Sequence, residues 1–190
     1  MKSTATQAPT TTPAPEPGSA SASYTIARAM LDEFERELPT TRTFIERVPA
    51  DRLTWRPHEK SMTAGQLALH IAQTHEGVVR FALPDESTAP EFGAERPQPA
   101  SVREMLESLE SGAAYVRQTL LTLDDARMRA NFTIFRDGRT LMSIPRALFL
   151  RNILLNHVYH HRGQLGVYLR LVGAKVPPSY GPSGDESPFA

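Results

Sequence analysis

Apolar residues recur at helical intervals from the point where the chain first carries large side chains. Ile26, Met30, Phe34, Leu38, Ile45 and Val48 share one helical face, which predicts a first helix from about Tyr24 to Val48. Pro39 falls inside that span and is expected to kink or break it near Leu38. Two prolines, Pro49 and Pro57, bracket the next segment, so it reads as a loop anchored by the only tryptophan, Trp55. A second helix is expected from Met62 or Thr63 to about Leu83, with Ser61 as its cap. Leu67, His70, Thr74 and Phe81 lie along one face of it. The stretch Pro84–Pro99 is rich in proline and acid and reads as a connector; Asp85, Glu86 and Glu91 are expected to be solvated there.

Ser101 and Glu104 match a capping box and open a third helix running to about Leu123. Its stripe is Val102, Met105, Leu109, Ala113, Val116 and Leu120. Period-two patterning then takes over in Phe132–Phe135 and Thr140–Met142, and Asp137-Gly138 lies between them. This predicts a short β-hairpin between the third and fourth helices. The fourth helix is expected to start with Ser143 as cap and Pro145 in the first turn, and to stop at Gly173. Leu150, Leu154, His157, His161, Gln164, Tyr168 and Leu171 are spaced 4, 3, 4, 3, 4, 3, the pattern of an inward seam. The pattern as a whole predicts an all-α four-helix bundle over residues 24–190.

Residues 1–23 are mostly Thr, Pro, Ala and Ser, with no Leu, Ile, Val or Phe, and read as a disordered tail. They lack the apolar run of a secretory signal, and no later stretch is long and apolar enough for a membrane span. The expectation is therefore a soluble cytoplasmic protein with no membrane partner. Lys+Arg and Asp+Glu are 21 each, so the formal charge is zero and nucleic acid is not an expected partner. The chain has no cysteine, which excludes disulfides, thiolate metal sites and cysteine nucleophiles.

These exclusions leave histidine as the notable chemistry. His157 and His161 are four residues apart, so their imidazoles point the same way from one helix. They occupy seam positions where leucine would be expected. A buried imidazole must be hydrogen-bonded or coordinated, because an unpaired buried polar group costs roughly 1–3 kcal/mol. A pair of satisfied core histidines would also fit this short motif. His70 changes the balance, since it too faces inward from its helix. Three convergent neutral imidazoles would make an open metal site with a vacant position for water or substrate. Protons would then compete with the metal near the ordinary histidine pKa of about 6.5. His160 lies to the side of the seam, His75 is turned away from His70, and His58 sits in a loop, so none is expected to be a ligand. Gln164 is placed to hydrogen-bond a ligated imidazole or a metal-bound water, the plain alternative being a buried amide. Tyr168 reads as core, and Arg162 and Arg170 read as surface charges.

Four motifs in order carry a resemblance: Trp55-Arg56-Pro57 with Lys60-Ser61; Leu67-Ala68-Leu69-His70-Ile71-Ala72; Asn156-His157-Val158-Tyr159-His160-His161-Arg162-Gly163-Gln164; and Val176-Pro177-Pro178-Ser179-Tyr180-Gly181-Pro182-Ser183. Over about Ala27–Glu186 the chain resembles the DinB-like superfamily of metalloenzymes, which includes the YfiT-type proteins. That resemblance implies a four-helix bundle whose divalent metal, zinc, nickel or iron, is held by His70, His157 and His161. It also implies a homodimer, and a small-molecule substrate or low-molecular-weight thiol as partner. Relatives in that superfamily include thiol-dependent S-transferases and a mycothiol-dependent maleylpyruvate isomerase. The rival expectation is a non-catalytic bundle that binds a metal or small ligand in a stress response.

Overall fold

The computed structural model describes residues 24–189 except 92 and 94. The expected tail of residues 1–23 lies outside the described residues. Helix α1 spans Ile26–Glu46, capped by the Thr25 hydroxyl, which accepts from the Arg28 amide. It runs through Pro39 without a break. Both halves carry buried side chains, Met30, Leu31 and Phe34 before the proline and Phe44 and Ile45 after it. Packing on both sides outweighs the lost backbone hydrogen bond.

A 3₁₀ turn at Ala50–Arg52 leads to α2, Ala64–Ala82. Its cap is Thr63 rather than the expected Ser61. The Thr63 hydroxyl accepts from the Gln66 amide, and the Gln66 side chain accepts from the Thr63 amide, which closes a reciprocal capping box. Gly65 stands against the loop before it: a Cβ there would lie 2.9 Å from the Leu53 carbonyl oxygen and from Pro99. The Gly65 amide itself donates to the Leu53 carbonyl at 2.9 Å. Only glycine permits that approach.

The connector after α2 is not all loop. Glu86–Thr88 forms strand β1, while Asp85 ion-pairs with a buried arginine at 2.7 Å. Helix α3 covers Val102–Leu120. The Ser101 hydroxyl accepts from the Glu104 amide, but the Glu104 carboxylate reaches back one residue further, to the Ala100 amide. A short helix α4, Asp125–Arg129, precedes β2 (Asn131–Arg136) and β3 (Arg139–Pro145). The expected hairpin is present. Asp137 and Gly138 both have positive φ, 51° and 72°, as an Asp-Gly turn of this kind requires. Strand β1 adds to β2 in parallel, pairing Ser87 with Ile134, so the sheet has three strands in the order β1-β2-β3. The molecule is therefore mostly helical with a small sheet, rather than all-α.

Because Ser143 belongs to β3, the last helical rod starts at Arg146. It comprises α5 (Arg146–Leu150), a π-helical segment (Arg151–Asn156) and α6 (His157–Leu171). In the π segment the His157 amide reaches the Asn152 carbonyl, five residues back. The extra residue turns everything after it by about 100° relative to a continuous α-helix. Leu150 and Leu154 are buried before and within the segment, but in α6 the buried positions are Val158, Arg162, Leu165 and Leu169. The regular 4-3 seam thus does not continue inward. Gln164 is exposed and Leu171 is 58% exposed, while His157 and His161 sit half-buried beside the core stripe.

The core forms two clusters. One joins Met30, Phe34, Val116, Phe132, Phe149 and Leu154 at the end near the sheet. The other joins Phe44, Ile45, Leu67, Ile71, Leu109, Val158 and Leu165 at the opposite end. Trp55 packs against this second cluster, edge-on to Tyr168 at 5.7 Å. No helix among the described residues is long and apolar enough to cross a membrane.

Candidate metal centre

His157 and His161 open α6 and point from the same side. Across from them, His70 stands in the middle of α2, flanked by the buried residues Leu69 and Ile71. The ring centroids of His70 lie 5.2 Å from His157 and 4.8 Å from His161, with the planes near perpendicular. One ligand atom of each of the three lies within 4.8 Å of the others. The three expected ligands are thus brought together. His160 is exposed, its ring 5.0 Å from that of His161, and His58 is exposed in its loop. His75 is turned into the core, 2% exposed and edge-on to Phe34.

Hydrogen bonds define the proton positions. The Gln164 carbonyl oxygen lies 2.6 Å from His161 Nδ1. A carbonyl oxygen only accepts, so Nδ1 carries the proton and Nε2 presents a bare lone pair. Gln164, though exposed, has the expected contact with an imidazole of the cluster. His161 Nε2 lies 3.0 Å from His157 Nε2, so the shared proton of this pair belongs to His157. His157 Nδ1 is then a bare acceptor, buried and without any partner among the described residues. His75 Nδ1 is left the same way in the core, so what sets His157 apart is its place beside two further imidazoles.

Burial and cationic neighbours hold the cluster neutral. Burial, then Arg96, lowers the His70 pKa to about 3, and the other two histidines add to the effect. Burial and His161 lower His157 to about 4. His161 is also lowered, chiefly by burial. His70 and His157 therefore stay unprotonated well below the ordinary range, and His161 is shifted the same way, toward the neutral state in which imidazole binds a cation.

The donor set fits a divalent metal. Tetrahedral coordination at about 2.0–2.1 Å implies neighbouring nitrogens about 3.3 Å apart. The His157–His161 pair meets that spacing within a few tenths of an ångström once the His157 proton moves from Nε2 to Nδ1, and His70 must close in by up to about 1.5 Å. Three nitrogens with no carboxylate would leave a fourth position open.

A model of the DinB family matches residues 21–188. The chain belongs to the DinB family. Two solved DinB-like proteins share its fold. One, from Bacillus cereus ATCC 10987, is 21% identical with a TM-score of 0.61, covering 80% of this chain and 95% of its own. The other, from Bacillus subtilis, is 18% identical with a TM-score of 0.62, covering 80% and 97%. No curated protein matches the chain.

One residue of the DinB chain was misjudged from sequence, and another was missed. Arg162 is not on the surface; it is 1% exposed and ion-pairs with Glu37 at 2.6 Å. Its place in the spacing Val158, Arg162, Leu165, Leu169 carried that signal. Arg96 lies in the connector, and its Nη1 stands 3.1 Å from His70 Nδ1. Nothing in the local pattern of the sequence marks it.

Proposed function

We propose that His70, His157 and His161 hold a divalent metal ion, zinc, nickel or iron, and that the protein uses it to transfer a low-molecular-weight thiol to a small electrophile. The observation that carries this reading is the meeting of three neutral imidazoles from α2 and α6 within 4.8 Å. A bound divalent ion would supply Lewis acidity, lowering the pKa of a thiol or water at the open position. The chain's own residues do the rest. Gln164 fixes the His161 tautomer so that Nε2 faces the centre. The exposed His160 stands at the rim, available to take up the thiol proton. Thiol transfer is favoured over hydrolysis because the charges felt by the three imidazoles are Arg96 and other histidines, with no carboxylate base among them.

On this reading the long helices α1, α2, α3 and the α5–α6 rod form the DinB-type four-helix bundle, and residues 24–190 act as one domain. The protein works in the cytoplasm as a homodimer, without nucleic-acid or membrane partners. Metal analysis of untagged protein tests the first step: about one equivalent is expected, falling below ~0.1 in His157→Ala. Incubating the metal-loaded protein with a panel of thiols and an electrophilic acceptor tests the second. Tight thiol binding without turnover would support the non-catalytic reading instead.

A further inference from the structure

Arg96 makes a contact that a metal centre should not tolerate. A guanidinium has only donors, so its 3.1 Å hydrogen bond requires His70 Nδ1 to be a bare acceptor. If Nδ1 faces the centre, Arg96 already occupies the lone pair a metal would take. If Nε2 faces the centre, it carries the proton of the neutral ring and has no lone pair to offer. In either orientation, the Arg96 bond and coordination by neutral His70 exclude each other. The cation must leave His70 before the third ligand can form.

The position of Arg96 is nonetheless built. The Gln66 side-chain amide donates to the Arg96 carbonyl at 2.9 Å, and Gln66 also completes the cap of α2. Two residues on, Gln98 accepts from the Thr63 hydroxyl at 2.8 Å and donates to the Leu53 carbonyl at 3.0 Å. Gly65 lets this segment approach closely. The backbone is thus tied to the helix that carries His70, and only the exposed side chain is free to swing. Among the described residues Arg96 has no carboxylate partner. A divalent ion on three neutral ligands beside this guanidinium would concentrate positive charge with nothing to offset it.

We propose that Arg96 is the substrate-recognition residue of the histidine centre and that it pairs with a carboxylate on the small molecule that binds there. This rests on the metal-centre reading. The planar fork of a guanidinium matches a carboxylate in two parallel hydrogen bonds, which a point charge would not do. When the carboxylate takes Arg96, His70 is released to coordinate. Anion and metal therefore bind cooperatively, and each tightens the other by the same factor.

The test is Zn²⁺ affinity of the full chain, measured by chelator competition with acetate as probe and acetamide as neutral control. Acetate is expected to tighten Zn²⁺ binding about fivefold or more in the wild type, and acetamide not at all. In Arg96→Gln the acetate effect vanishes, while Zn²⁺ affinity without acetate equals or exceeds that of the wild type. Arg96→Lys, which keeps the charge but loses the fork, retains a reduced acetate effect. An acetate effect that persists in Arg96→Gln overturns the assignment, as does weaker Zn²⁺ binding by that variant without acetate. Zn²⁺ binding by the wild type that ignores acetate removes the Arg96 role and leaves the metal centre standing. If the wild type does not bind Zn²⁺ at all, both readings fall together.

Discussion

The arginine node at Arg146 and the histidine centre are built on opposite plans. Arg146, at the start of α5, is 0% exposed. Its Nε donates to the Ala82 carbonyl, Nη1 to the Arg127 carbonyl, and Nη2 to the Pro84 carbonyl and the Asp85 carboxylate, at 2.6–3.1 Å. All three nitrogens are engaged, and the end of α2, the short α4 and the rod are tied at one point. The histidine centre has the reverse character. Three bases face one another with a single hydrogen bond between two of them, and one buried nitrogen is left over. The arginine that ties the architecture has its bonds completed inside the protein. The histidines are left with lone pairs to give away.

That contrast can be broken at either centre. Arg146→Leu should cost about 3–5 kcal/mol, because several buried acceptors lose their donor at once. Urea denaturation measures it, and a loss under ~1 kcal/mol would mean the node is not structural. At the other centre, free metal at a hundred times its Kd should stabilise the wild type by about 2.7 kcal/mol. The thermal midpoint of His157→Ala and of His161→Ala should not respond to the same metal.

A smaller effect is expected from His157→Leu. It removes an unpaired buried nitrogen and keeps the volume, but it takes the donor from His161 Nε2, so the metal-free protein should change in stability by less than about 1 kcal/mol. If this substitution is as damaging as Arg146→Leu, the two centres do not differ in kind.

Acid supplies the finest discrimination. His70 and His157 have folded pKa values of about 3 and 4, below the ordinary value near 6.5. As pH falls through about 6.5 the unfolded chain takes up protons first, so stability is lost between there and about pH 3. Buried His75, also lowered to about 4, adds to the same window. Metal affinity follows the folded values, so its fall should begin below the ordinary value near 6.5 rather than at it. A steep fall centred on 6.5, followed by chelator competition, would show that the imidazoles are more solvated than the structure has them.

Much of the fold was legible because its signals are local. The Asp137-Gly138 turn needs positive φ at both residues, and the helical stripes of α1 and α3 are uninterrupted. The three histidines were legible for a related reason: a four-residue spacing survives in any helix, whichever way that helix is rotated. Their half-burial was not legible, because nothing in Arg151–Asn156 announces a π-helical segment. Strand β1 escaped because Glu86-Ser87-Thr88 is short and polar, and becomes a strand only by pairing with β2. Arg146 and Arg162 escaped because arginine is seldom buried; only their carbonyl and carboxylate partners, distant in sequence, make burial tolerable.

The π-helical segment works as a phase shifter. Wound as an unbroken α-helix, the same residues would keep one rotational phase from Leu150 onward, and the 4-3 rule would carry His157 and His161 into the middle of the hydrophobic interior. With the π-helical winding, the same two side chains come out at the edge, where small molecules can arrive. A change that wound Arg151–Asn156 as regular α-helix without shortening the chain would leave every histidine in place and still close the door on them.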